Sequence, residues 1–94
     1  MPKRYVLIFA DGELSDSDRK ELAAVLESRY DKVTVIPVDG NSRAIIIKTT
    51  EASATLIRRE CDQLRVEGKR LTTVLSSGSI GKLKSRVSSS GAQA

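Results

Sequence analysis

Two short apolar runs constrain this chain more than anything else in it. The first is Tyr5-Val6-Leu7-Ile8-Phe9-Ala10 and the second is Ala44-Ile45-Ile46-Ile47. Each has strand length, is β-prone, and is continuously apolar rather than alternating, the pattern of a central strand covered on both faces. Asp11-Gly12 breaks the first run. What lies between and after the two runs then decides how a sheet can be built around them.

After the first run, Leu14-Ser15-Asp16-Ser17-Asp18 reads as a helix start, with serine to cap and acids suited to the positive end of the helix dipole. Leu22, Val25, Leu26 and Tyr30 follow at helical spacing, which predicts a helix over about 16–30. Residues 32–38 form a second strand in which Pro37 cannot donate to a ladder, so this strand belongs at a sheet edge or ends there. Asp39-Gly40-Asn41-Ser42 is a turn signal joining it to a third strand over 43–49. Thr50 caps a second helix whose apolar stripe is Leu56, Ile57, Cys61 and Leu64, with Arg65 in its last turn and Gly68 ending it. A fourth strand covers 69–76.

The resulting order, β-α-β-β-α-β, predicts an α+β fold: a ferredoxin-like antiparallel four-stranded sheet with two helices on one face. Right-handed crossovers give the strand order 4-1-3-2. The two continuous runs then fall in the middle and the proline strand at an edge. A single domain over 1–87 and a disordered tail over 88–94 are expected.

One surface is left over. Tyr5, Leu7 and Phe9 share a face of the first strand, and Ile46 belongs to an apolar face of the third. A single helix layer cannot cover both sides of the sheet. Either residues 80–87, where Ile80, Leu83 and Val87 recur at helical spacing, cover the second face as a short basic C-terminal helix, or it meets another molecule. On the second alternative Tyr5, Leu7, Phe9 and Ile46 are interface residues, for a partner protein or a homodimer.

Charge is segregated. The formal net charge is +4, yet residues 1–67 carry eleven basic and twelve acidic side chains. From Gly68 onward there are five Lys/Arg (Lys69, Arg70, Lys82, Lys84, Arg86) and no acid. Such asymmetry points to a polyanion. Within this end, Gly78-Ser79-Ile80-Gly81-Lys82 invites comparison with a phosphate loop. It fails the comparison, because two residues rather than four separate the glycines and Leu83 follows the lysine. Nucleotide hydrolysis is rejected. Two readings stay open for the Ser77-Gly78-Ser79 turn: backbone N–H groups beside a lysine that bind a phosphate, or a plain cap before a solvated basic end.

The chain has no histidine, which removes Ser-His-Asp and Cys-His nucleophilic pairs and imidazole metal ligands. No catalytic residue and no metal site is assigned. Asp16 and Asp18 could be read as a Mg²⁺-binding pair but are accounted for as helix-start acids. Cys61, the single cysteine, lies on an apolar helix face and reads as a packing residue in a reducing, cytoplasmic setting. The apolar run 5–10 is too short for a signal-peptide core, and no run approaches a membrane span. With three aromatic side chains in the chain, base stacking is weakly supported, so RNA contact is expected through phosphates.

Lys3-Arg4-Tyr5-Val6-Leu7-Ile8, Asn41-Ser42-Arg43-Ala44-Ile45-Ile46 and, above all, Leu75-Ser76-Ser77-Gly78-Ser79-Ile80-Gly81-Lys82-Leu83-Lys84 carry a resemblance. Together they resemble the archaeal ribonuclease P protein component 2 family, whose last strand ends in a Ser-Gly-Thr-Ile-like turn before a Lys/Arg-rich helix. The chain departs from that pattern in having serine for threonine at Ser79, a compact link after the first helix and a brief C-terminal extension. The resemblance implies a noncatalytic subunit of an archaeal, cytoplasmic ribonucleoprotein that removes 5′ leaders from precursor tRNA. It further implies that Mg²⁺ and the active site belong to the RNA, that the protein itself needs no cofactor, and that a barrel-fold subunit is its partner. On this reading Lys69, Arg70, Ser77, Gly78, Ser79, Lys82, Lys84 and Arg86 bind ribonuclease P RNA or precursor tRNA. The competing expectation is a protein-interaction or small-ligand regulatory module that dimerises through the open sheet face.

Overall fold

The computed structural model describes residues 3–30 and 32–83. Strand β1 (Lys3–Ala10) is followed by helix α1 (Asp16–Glu27), strands β2 (Thr34–Val38) and β3 (Asn41–Thr50), and helix α2 (Glu51–Cys61). A two-residue strand β4 (Arg65–Val66) and strand β5 (Lys69–Ser77) complete the sheet, and a helical turn occupies 80–83. All neighbouring strands are antiparallel, in the order β2-β3-β1-β5-β4. The α+β class is as expected. The four-stranded sheet is not: a fifth strand lies outside the last long one. Among the described residues no helix is long and apolar enough to cross a membrane.

The two apolar runs do lie inside the sheet. Val6, Leu7 and Ile8 have no exposed surface, nor have Ile45, Ile46 and Ile47 opposite them. Each such side chain contributes about 1.5–3 kcal/mol relative to exposure. Alternation sorts them. Val6, Ile8, Ile45 and Ile47 meet α1 and α2 through Leu22, Leu26, Ile57 and Cys61, whereas Leu7, Ala44 and Ile46 face the other way. There Leu83 covers them, itself fully buried, with Ile80 packed at the margin. Of the two alternatives for the second face, the described part of 80–87 therefore supplies a cover within the chain. Val87 lies outside the described residues.

Helix α1 starts on a complete capping box: Ser15 Oγ accepts from the Asp18 N–H at 3.1 Å, and Asp18 Oδ2 accepts from the Ser15 N–H at 3.0 Å. It ends at Glu27 rather than near 30, and the chain after it still brings Tyr30 against the core. Thr50 caps α2 by accepting from the Ser53 N–H at 3.2 Å. The buried line of α2 is Ala54, Ile57 and Cys61, and Leu56 is 51% exposed. With small Ala54 on the buried line, Leu56 is left on the flank.

Beyond α2 the expected reading fails for a local reason. Gly68 does not end the helix. Glu67 and Gly68 both have positive φ, +51° and +77°, the signature of a two-residue primed turn between antiparallel strands. Arg65 is thus a strand residue opposite Arg70, and Val66 opposite Lys69 gives its side chain to the core. The β2–β3 turn is also a two-residue one, Asp39-Gly40, with Gly40 at φ +80°. Pro37 lies on the edge strand next to a register shift, as a residue without an N–H requires.

Candidate nucleic-acid interface

Strand β5 delivers the Ser77-Gly78-Ser79 turn to one end of the sheet, and the register shows what else arrives there. Tyr5 is the cross-strand partner of both Ser77 and Lys48, and Arg4 precedes it on β1. A Cβ added to Gly78 would lie 3.7 Å from Arg4 Nη1, so the guanidinium reaches across to the turn at the one position that lacks a side chain. Lys82, exposed, follows in the helical turn whose Leu83 is anchored in the core. Buried Leu83 fixes where its neighbour Lys82 is displayed.

Arg4 and Lys48 were not among the expected binding residues, because counting charge along the chain singles out only the C-terminal end. Strand pairing brings them to this end of the sheet, Lys48 with Tyr5 and Ser77 on the face away from the helices and Arg4, alternating with Tyr5, on the other. Among the described residues the ion pairs are Arg19–Asp16, Arg29–Glu60 at 2.7 Å and Lys69–Asp18 at 2.8 Å. None engages Arg4, Lys48 or Lys82, so among the described residues these partly or fully exposed cations have no neutralising partner.

The remaining expected residues separate. Ser77, Gly78, Ser79 and Lys82 do share this end of the sheet. The Ser79 N–H, however, donates to Ser77 Oγ at 3.1 Å, so this donor is used within the turn and is not offered to a phosphate. Lys69 is drawn to the helix side, where its ammonium meets buried Asp18. Arg70 is exposed but lies at the far end of β5, no more than about 23 Å from Ser77 at the usual rise of an extended strand. Lys84 and Arg86 lie outside the described residues. Of the expected interface residues, Leu7 and Ile46 are fully buried beneath Leu83, and Tyr5 and Phe9 are half-buried at its border.

The candidate acids are tied into structure. Asp16 pairs with Arg19 one turn away. Asp18 is held below the usual carboxylate range, first by the hydrogen bond from Lys69 and then by the Ser15 backbone. Among the described residues no group of three or more His, Cys, Asp or Glu is placed to hold a metal ion. Burial pushes the Cys61 thiol up to about 12, the opposite of an activated nucleophile. Chemically, the arrangement offers cations that can meet a phosphate backbone.

No protein-family model matches the sequence, and no characterised protein matches it either.

Proposed function

We propose that this chain is a noncatalytic RNA-binding subunit of a ribonucleoprotein, and that the ribonucleoprotein is ribonuclease P. The observation that carries the RNA-binding part is a set of cations at one end of the sheet, none of them in an ion pair among the described residues: Arg4, whose guanidinium reaches the glycine turn at the end of β5, Lys48, on the sheet face opposite the helices, and Lys82, in the helical turn that follows. The resemblance of residues 75–84 to the archaeal ribonuclease P protein component 2 family supplies the assembly. We read the fold accordingly as a ferredoxin-like sandwich enlarged by the β4–β5 hairpin.

On this reading the protein neutralises backbone phosphates where RNA strands approach one another, and so favours the folded, active RNA. The Mg²⁺ ions and the cleavage chemistry belong to that RNA, and a barrel-fold subunit accompanies the protein in an archaeal cytoplasm. Guanidinium and ammonium groups suit the task because they act on the phosphate charge without reading bases.

The test is purification of the tagged chain from its native cells. A large structured RNA, a barrel-fold protein and 5′-leader cleavage of precursor tRNA should accompany it. Recovery of the chain without RNA, as a monomer or a homodimer, would overturn the proposal.

A further inference from the structure

The β4–β5 hairpin has a feature that core packing does not require. Arg65 and Arg70 are direct cross-strand partners, so their side chains leave the sheet on the same face. Which face follows from their neighbours. Val66 and Leu71 are buried against the helices, and Lys69 reaches Asp18 on α1. Arg65 and Arg70 alternate with these residues and therefore point away from the helices, both exposed. Like charges directly opposite one another oppose strand pairing. Neither arginine makes an ion pair among the described residues. The nearby acids are otherwise placed: Asp11 Oδ1 accepts from the backbone N–H of Arg70 at 3.0 Å, and Glu67 occupies the turn. That backbone bond, with the return bond from the Asp11 N–H to the Arg70 carbonyl at 3.1 Å, pins the hairpin to the end of β1.

We infer that Arg65 and Arg70 form a second phosphate-binding point, a cross-strand guanidinium clamp for an RNA backbone. Two planar forks held a strand spacing apart suit the oxygens of one phosphate or of two successive ones. The inference rests on the RNA-binding reading above and deepens it. The clamp lies on the same face as Ser77 and Lys48, and the exposed residues Thr72 and Leu75 lie between them on β5. With one β5 residue taken up by the bulge opposite Leu7 and Ile8, the two points are no more than about 23 Å apart, a span of no more than about seven phosphates along one strand. The protein thus holds one RNA segment at two places along β5.

The test compares wild-type protein with Arg65→Gln/Arg70→Gln and Arg65→Lys/Arg70→Lys, binding oligouridylates of about 3 and about 12 nucleotides, the shorter below and the longer above that span. Wild type should gain affinity strongly with length. The glutamine variant should lose most of that gain, bind the longer RNA about fivefold or more weakly, and show a salt slope smaller by about 1.4. The lysine variant keeps the charge and should retain the slope; it also serves if the glutamine variant does not fold. Equal affinity, slope and length dependence in the glutamine variant, or in Arg70→Gln alone where the double variant is unfolded, would overturn the clamp and leave the turn site standing. Wild-type protein that binds neither RNA would overturn the RNA-binding reading, and the clamp with it.

Discussion

Leu83 is the residue on which the position of the basic turn depends, and Leu83→Ala tests that dependence. The leucine is fully buried against Leu7, Ala44 and Ile46, while the surrounding Ile80, Tyr5 and Phe9 are only half-buried. Truncating a fully buried leucine costs about 2–5 kcal/mol, depending on how far the site can close. Here the cover is a single helical turn outside the sheet rather than an element paired within it. It can lift away instead of holding a cavity open, which limits the cost to about what burying one leucine contributes, ~2 kcal/mol. Local opening of residues 80–83 should then rise about 30-fold. Native-state hydrogen exchange should show lost protection at those amides, and a fluorescent apolar dye should bind the uncovered Leu7 and Ile46. The thermal midpoint should fall by less than the ~8–16 °C that a global loss of this size gives in a domain of this length. RNA affinity should fall too, although no charge has been removed, because Lys82 loses its anchor. Unchanged exchange, dye binding and RNA affinity would refute the docking argument.

Two further outcomes follow from the charged and sulfur groups. The pKa of Asp18 is depressed on folding, so its contribution is complete above the ordinary carboxylate value of 3.8 and is lost as pH falls below it through the folded value. Urea midpoints for Asp18→Asn should be lower than wild type at neutral pH and should converge with it in acid; a constant difference would place the effect elsewhere. The Cys61 thiol is raised to about 12, so stability should decline as pH climbs from about 9, where the unfolded thiol ionises, toward 12. At neutral pH a disulfide reagent should label Cys61 only as fast as the protein opens, and rapid labelling of folded protein would contradict its burial.

Much of the fold was legible because the sequence repeats one message at several levels. The runs around Leu7 and Ile46 read as covered strands and are covered. Ser15 and Thr50 read as caps and accept the hydrogen bonds of caps. Pro37 reads as an edge residue and lies on the edge strand. The β4–β5 hairpin is not legible because Glu67 adopts positive φ, which a non-glycine residue rarely advertises, so Gly68 reads as a helix stop. Leu56 reads as a core residue because a stripe of large side chains hides the contribution of small Ala54.

The binding surface was less legible, since it is made by register. Nothing in the local sequence ties Arg4 to Gly78 or Lys48 to Ser77; only pairing across Tyr5 does. Lys69 shows the converse. It belongs by sequence to the basic end, but strand alternation turns it inward to Asp18.

The most direct test of the central claim is the salt dependence of RNA binding by wild-type protein and by Arg4→Gln/Lys48→Gln/Lys82→Gln. If these three side chains neutralise phosphates, the variant should bind more weakly at every salt concentration, and the slope of log affinity against log salt should shrink by about 2–3. Two of the three lie far from the basic end of the sequence, so the result also tests the site that strand pairing assembles. A variant with the wild-type slope would contradict the account.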